Sequence, residues 1–170
     1  RALKLRYGER VMTTTIYSSL KDRVVIITGG GQGLGRTYAH EFAAQGAIPV
    51  VAELNGENGA RVVAEIEQKG GRALSVETDV SSEASTLEMA AKTVSAFGRI
   101  DCLINNAAVF SKITIAPFWE LPVDEWNAAM QVNINGAFFA SRAVVPSMMA
   151  AKWGRIINIA STTVPTGRAN

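Results

Sequence analysis

The clearest chemical signal in this sequence is the glycine-rich run Thr28-Gly29-Gly30-Gly31-Gln32-Gly33-Leu34-Gly35. It follows an apolar stretch at 24–28 and opens a helical pattern. Glycines let a backbone turn sharply and approach a phosphate closely, because no Cβ blocks the way. The free N–H groups and the positive dipole end of the following helix favour an anion at the same place. The run therefore predicts a pyrophosphate-binding loop with the spacing Thr-Gly-x-x-x-Gly-x-Gly, which differs from the more common G-x-G-x-x-G.

An acidic residue, Glu53, follows the second apolar stretch, 18 residues after Gly35. A carboxylate at this point can accept both hydroxyls of an adenosine ribose, and it would repel a 2′-phosphate. The neighbouring Leu54 and Asn55 carry no positive charge, and Gln32 is neutral. These residues favour NAD over NADP. The alternative is that Glu53 is a surface residue in a loop.

Polar residues also follow the later strand patterns. Asp79 could accept a hydrogen bond from an adenine amino group or cap the next helix. Asn106 could join neighbouring strands beside a cofactor or lie in a plain turn. Asn133 lies inside a helical pattern close to Gly136, and since asparagine and glycine disfavour helix interiors, we expect a loosened helix there. Ser161 follows the fifth strand pattern, where its hydroxyl could face a ligand or belong to a turn.

The elements that must position these residues alternate between strand and helix patterns. Strands are predicted at 24–28, 48–52, 73–78, 102–105 and 156–160, and helices at 33–46, 57–69, 82–97 and 124–151. This alternation predicts an α/β fold, a doubly wound parallel sheet of the Rossmann type, with five strands in the order 3-2-1-4-5. Its ligand crevice should lie at the carboxyl ends of the strands.

The composition of the chain is that of one globular domain: 170 residues, 48% hydrophobic, 19% charged and a net charge of +2. The net charge is too small to indicate nucleic-acid binding, and no apolar run is long enough to predict a membrane span. The lone cysteine, Cys102, is predicted to be a buried small apolar residue, consistent with a cytoplasmic protein. His40 is predicted to be a solvated surface residue, and no metal site is predicted. We expect residues 1–11 to be an extension or a vector remnant before a domain at 12–170.

Taken in order, these motifs resemble the short-chain dehydrogenase/reductase family over about residues 21–170. The resemblance is carried by the glycine loop, Asp79, Asn105-Asn106-Ala107, Val132-Asn133 and the run at 154–161. It implies an NAD-dependent oxidoreductase, a ketoreductase or alcohol dehydrogenase, that moves a hydride between the nicotinamide and a carbonyl or secondary alcohol. The implied dinucleotide contacts are Gly29, Gln32, Gly33, Leu34, Gly35, Glu53, Asp79, Val80, Asn106 and Ala107. The implied catalytic residues are Ser161, which would bind the substrate oxygen, and Asn133, which would hold a water in a proton relay.

Two features depart from the family pattern. Ala108 stands where the family has glycine. The catalytic tyrosine and lysine that follow the serine in the family are not in this sequence, so we expect it to be a fragment, inactive alone. A non-catalytic dinucleotide-binding module is the alternative function.

The substrate and the assembly are predicted only in outline. An apolar substrate site could be lined by Phe110, Ile113, Phe118 and Thr162. The helix at 124–151 carries apolar residues on more than one face, which predicts a homodimer or homotetramer.

Overall fold

The computed structural model describes residues 3–7, 10–110 and 114–161, without the side chains of residues 3–14. The strands are β1 (Leu3–Tyr7), β2 (Arg10–Thr14), β3 (Val24–Thr28), β4 (Ile48–Glu53), β5 (Leu74–Glu77), β6 (Cys102–Asn105) and β7 (Arg155–Asn158). The helices are α1 (Gly33–Ala44), α2 (Gly56–Gln68), α3 (Glu83–Phe97), α4 (Val123–Met130) and α5 (Gly136–Ala150), with a π-helix at Gln131–Asn135 between the last two. Short 3-10 turns lie at Ser18–Leu20 and Phe118–Glu120.

The central sheet has five parallel strands in the order β5-β4-β3-β6-β7, which confirms the predicted order. Its register places Ile26 of β3 opposite Val50 of β4 and Leu103 of β6. Both faces of the sheet are covered by helices, so β3 and β4 are buried along their whole length. The carboxyl ends of β3, β4 and β6 therefore meet at one edge.

Alternation along the strands builds two apolar cores. Val24 and Ile26 pack on one side with residues of α3 and α5, whereas Val25 and Ile27 pack on the other with residues of α1 and α2. Cys102 is buried in the second core, as predicted. Burial raises the pKa of its thiol to about 11, so the thiol is protonated at neutral pH.

The predicted long helix is divided by the π-helix Gln131–Asn135, which contains Asn133 and ends just before Gly136. The expected loosening is confirmed, in the form of a wider helical turn. The N- and C-terminal ends of α3 are also as predicted. The Ser82 hydroxyl accepts a hydrogen bond from the N–H of Ser85, and Gly98 ends the helix in a left-handed conformation.

One prediction about an α1 side chain is wrong. His40, predicted to be solvated, is half-buried, and its Nε2 lies 2.8 Å from Glu65 Oε2 on α2. An ionic group on the neighbouring helix covers this histidine, which a single helical pattern cannot reveal.

Strands β1 and β2 pair in antiparallel orientation, with Leu5 opposite Met12. The boundary predicted between residues 11 and 12 lies within β2, which spans Arg10–Thr14. The two strands form a sheet separate from the five-stranded one. Within the described ranges, none of the helices has the length and apolarity that a bilayer crossing requires.

Candidate functional site

The glycine loop is tightly packed at Gly35 and has free space around Gly33. A Cβ on Gly35 would overlap the carbonyl oxygen of Gly29 and lie 2.7 Å from Asn106 Nδ2, so only glycine fits there. Gly33 has a φ of 52°, which favours glycine, and a Cβ on it would meet no atom within 4 Å. The loop therefore presents an open backbone surface at the start of α1, where Gln32 and Leu34 are exposed. This is a cradle that an anionic group such as a pyrophosphate fits.

Thr28 and Asn106 tie the ends of β3 and β6 together. Thr28 Oγ1 accepts hydrogen bonds from the N–H groups of Asn106 and Ala107, both at 3.0 Å. Asn106 Nδ2 donates to the carbonyl oxygens of Thr28 at 2.9 Å and Gly29 at 3.2 Å. The prediction that an amide here joins neighbouring strands is confirmed. The role of Thr28 was not predicted, although its place as the last strand residue before the glycines was a signal for it.

Glu53 lies at the end of β4 with its carboxylate against the glycine loop. Glu53 is only 7% exposed, so the interpretation as a surface residue is wrong. Its Oε2 accepts from Gly31 N–H at 2.9 Å and its Oε1 from Asn55 N–H at 3.2 Å. An ionised carboxylate has about four acceptor positions, so two remain for a pair of hydroxyl groups. The geometry thus suits a ribose diol beside the loop.

The loop after β5 carries the next two predicted residues. Asp79 is exposed, and its Oδ1 accepts from Ser81 N–H at 2.9 Å and Ser81 Oγ–H at 2.6 Å. Of the two roles considered for Asp79, capping α3 belongs to Ser82. Val80 is buried against Gly136, where an added Cβ would lie 2.9 Å from Val80 Cγ2. This contact fixes the start of α5 against the loop.

Asn133 joins the π-helix to the loop after β6. Its Oδ1 accepts from Val109 N–H at 2.8 Å, and its Nδ2 donates to Val109 C=O at 3.0 Å. Both ends of the side-chain amide thus bind one backbone unit. The proposed part of Asn133 in a proton relay stays a prediction.

Ser161 lies just beyond β7. The Ile159 N–H donates to Asn105 C=O at 3.0 Å, which carries the pairing of β7 with β6 one step past the end of the strand. Buried Asn105 donates from Nδ2 to Asn158 Oδ1 at 2.8 Å and Ser141 Oγ at 3.1 Å. This network, which was not predicted from the sequence, links β6, β7 and α5.

Of the predicted substrate-site residues, Phe110 and Phe118 are exposed, and Ile113 and Thr162 lie outside the described residues. The predicted lining therefore stays a prediction. In the part of the chain that the structure describes, no group of three His, Cys, Asp or Glu side chains is arranged to hold a metal ion.

Comparison with known proteins gives a consistent result. A family model described as short chain dehydrogenase matches residues 23–170. An uncharacterized oxidoreductase of Thermotoga maritima is 39% identical over 143 residues, 84% of this chain and 55% of the relative. The 2-dehydro-3-deoxy-L-rhamnonate dehydrogenase (NAD(+)) of a Sphingomonas species is 36% identical over 148 residues, 87% of this chain and 57% of the relative. The chain spans about half the length of the relatives it matches.

Two solved structures have the same architecture. An NAD+-bound xylitol dehydrogenase superimposes with a TM-score of 0.83 and 31% identity, covering 88% of this chain and 56% of that protein. A metagenomic short-chain oxidoreductase in complex with NADP gives a TM-score of 0.79 and 35% identity, covering 85% of this chain and 64% of that protein.

Proposed function

Because this chain belongs to the short-chain dehydrogenase family, we propose that the whole protein is an NAD-dependent oxidoreductase acting on a small carbonyl or secondary alcohol compound. Relatives named as dehydrogenases, including a cyclopentanol dehydrogenase of Comamonas that is 32% identical, support this reaction class. A bound nicotinamide would supply the hydride chemistry. The protein would bind and orient the cofactor and would transfer the proton.

The observation that carries the proposal is the juxtaposition of the glycine cradle with Glu53. Gly29 and Gly35 are pressed together, Gly33 is left open, and the carboxylate of Glu53 is hydrogen-bonded to the same loop through Gly31. A diphosphate carries acceptor oxygens for the open backbone of the loop, and an adjacent ribose diol carries hydroxyl donors for the carboxylate of Glu53. NAD is proposed over NADP because a buried carboxylate repels a 2′-phosphate more strongly than a solvated one does.

The remaining residues have proposed roles at the same edge of the sheet. Ser161 would donate to the substrate oxygen, and Asn133 would hold a water in the path of the proton. The other proposed cofactor contacts are Gln32 and Leu34 in the loop, Asp79 and Val80 at the adenine, and Asn106 and Ala107 at the nicotinamide-side ribose.

Titration calorimetry of the full-length protein with NAD and with NADP tests the cofactor assignment. We expect tighter binding of NAD, and we expect the double change Glu53→Ala and Leu54→Arg to reduce the preference. Glu67→Ala is the matched control, because it removes an exposed carboxylate from the far end of α2. Tighter binding of NADP than of NAD by the unaltered protein would contradict the assignment.

Oxidation of a panel of secondary alcohols, followed by reduced-nicotinamide absorbance, tests the reaction. Turnover by the full-length protein supports the enzyme. Tight NAD binding with no turnover of any tested alcohol would favour the alternative, a non-catalytic dinucleotide-binding module.

A further inference from the structure

A basic side chain, Arg61 of α2, contacts the glycine loop next to Glu53. Arg61 Nη2 donates to the carbonyl oxygen of Gly31 at 3.2 Å, and Gly31 N–H donates to Glu53 Oε2 at 2.9 Å. A carboxylate and a guanidinium therefore hold the same glycine from its two polar groups. The residues next to Glu53 in the sequence carry no positive charge. Arg61 lies eight positions further along the chain, and α2 places it beside the loop.

The two charges are close enough to act on one ligand group. Because both hydrogen bonds are made to the backbone of Gly31, Glu53 Oε2 and Arg61 Nη2 are at most about 10 Å apart. This is no more than the Debye length of about 10 Å at 0.1 M salt. A phosphate monoester on a ribose bound at Glu53 would be repelled by the carboxylate and attracted by the guanidinium.

Arg61 makes only a long contact with the neighbouring carboxylate of Glu65. Glu65 Oε2 accepts from Arg36 Nε and contacts His40 Nε2, each at 2.8 Å, whereas Arg61 Nε lies 4.0 Å from Glu65 Oε1. The carboxylate is thus held by Arg36 and His40. The Arg61 side chain is 55% exposed, and its five N–H donors allow it to keep Gly31 while binding a phosphate oxygen.

We propose that Arg61 is a specificity-determining residue that binds the 2′-phosphate of NADP and offsets the repulsion from Glu53. This inference rests on the proposed function, because it requires the adenosine ribose to lie at Glu53. It refines the NAD preference: Glu53 sets the direction of the preference, and Arg61 limits its size. The protein is then an NAD-preferring enzyme with a measurable affinity for NADP.

The test compares dissociation constants for NAD and NADP in the full-length protein and its variants. Arg61→Leu should weaken NADP binding about two- to fivefold, the range for a charge pair that is partly exposed to water. NAD binding should change much less. Glu53→Gln should tighten NADP binding, and adding Arg61→Leu to it should remove most of that gain. The Arg61 effect on NADP should shrink as the salt concentration rises to 1 M.

Two further variants separate ligand binding from loop support. Arg61→Lys keeps the charge and should retain part of the NADP affinity, and it serves as the second variant should Arg61→Leu fold poorly. Arg72→Leu removes another exposed arginine, which pairs with Asp22 away from the loop, and should leave the NADP to NAD ratio unchanged.

The outcomes distinguish this inference from the proposed function. An equal loss of NAD and NADP affinity in Arg61→Leu would show that Arg61 only supports Gly31, and would overturn the inference. An unchanged ratio of the NADP and NAD dissociation constants in every Arg61 variant would also overturn the inference, but the proposed function as an NAD-binding protein would stand. Failure of the unaltered protein to bind either dinucleotide would overturn the proposed function, and the inference with it.

Discussion

Glycine at position 35 is required by steric fit, whereas glycine at position 33 is favoured by its positive φ. In Gly35→Ala the new Cβ meets the backbone of Gly29, which cannot rotate away, so the loop must shift. We expect the free energy of unfolding to fall by about 1–3 kcal/mol and dinucleotide affinity to fall about tenfold or more. Gly59→Ala is a matched control, because its Cβ would meet the Ser75 hydroxyl, which can turn aside. Equal dinucleotide affinities in the two variants would contradict this account of the loop.

Ser161 is exposed just beyond β7. If it donates to the substrate oxygen, Ser161→Ala in the full-length protein should lower kcat roughly 10²-fold, as for other donors aimed at a developing oxyanion. NAD affinity should barely change, since the cofactor anchors belong to other segments. Steady-state kinetics and calorimetry measure the two effects, and equal losses in both would make Ser161 a structural residue.

The predictability of single residues depended on whether their partners are near in sequence. Glu53 was found from its distance to the glycine run and from its place at a strand end. Arg61 was missed because its contact with Gly31 exists only after α2 packs beside α1. Asn105, whose amide reaches Ser141 and Asn158, was likewise visible only as a polar residue at a strand end.

Asp101 joins the amino-terminal ends of three strands. Its carboxylate accepts from Val24 N–H at 2.9 Å and Arg23 Nη1 at 2.8 Å, and its carbonyl oxygen accepts from Arg155 N–H at 3.0 Å. Burial alone would raise the pKa of Asp101, but the hydrogen bonds from Arg99, Val24 and Arg23 outweigh it and hold the pKa below its usual 3.8. The ionised carboxylate therefore stabilises the fold.

The sign of the resulting pH dependence follows from this lowered pKa. The stabilisation is fully present above the unfolded-state pKa near 3.8 and is lost as the pH falls through the lower folded-state pKa. Asp101→Asn should cost about 1.5–3 kcal/mol of unfolding free energy at pH 7, as for the loss of hydrogen bonds to a charged group, and flatten the loss of stability below pH ~4. Urea denaturation at several pH values measures both effects. Asp22→Asn, at an exposed ion pair, is the control, and identical acid sensitivity in Asp101→Asn and the unaltered protein would contradict the prediction.

The side chain of Asn133 joins the π-helix to the loop after β6. Asn133→Ala removes both hydrogen bonds to Val109, so amide exchange at Val109 should become faster. Asn135→Ala is the matched control in the same π-helix, because Asn135 Nδ2 donates to Gln131 Oε1 within that helix. Hydrogen exchange by NMR measures the rates, and unchanged exchange at Val109 in Asn133→Ala would show that other contacts hold this loop.

The strands and helices were largely predictable because local patterns determine them. Continuous apolar runs marked β3 and β4, and a helical pattern at 82–97 marked α3. The unfavourable helix residues Asn133 and Gly136 located the irregular segment, but not the contact of Asn133 with Val109. That contact crosses 24 positions of sequence, so a helical pattern alone cannot reveal it.

The whole molecule presents an apolar stripe along α4, the π-helix and α5. Large side chains recur there at four-residue spacing and are more than a third exposed, namely Trp126, Met130, Ile134 and Phe138. The opposite side of α5 is already used by the sheet, since Val144 and Met148 are buried in the core. Single exposed apolar residues are ordinary, but an aligned set of this size is typical of an interaction surface.

We propose that this stripe is where copies of the protein associate into a dimer or tetramer, as the composition of the helix predicted. Phe138 is 59% exposed at the carboxyl end of the stripe, so Phe138→Glu should place a charge in the interface and dissociate the assembly at micromolar concentration. Asn127→Glu introduces the same charge beside Trp126 at an exposed polar position and should leave the assembly intact. Sedimentation velocity of the full-length protein measures the species directly. A monomer in the unaltered protein, or a dimer that survives Phe138→Glu together with Trp126→Glu, would contradict the proposal that copies associate through this stripe.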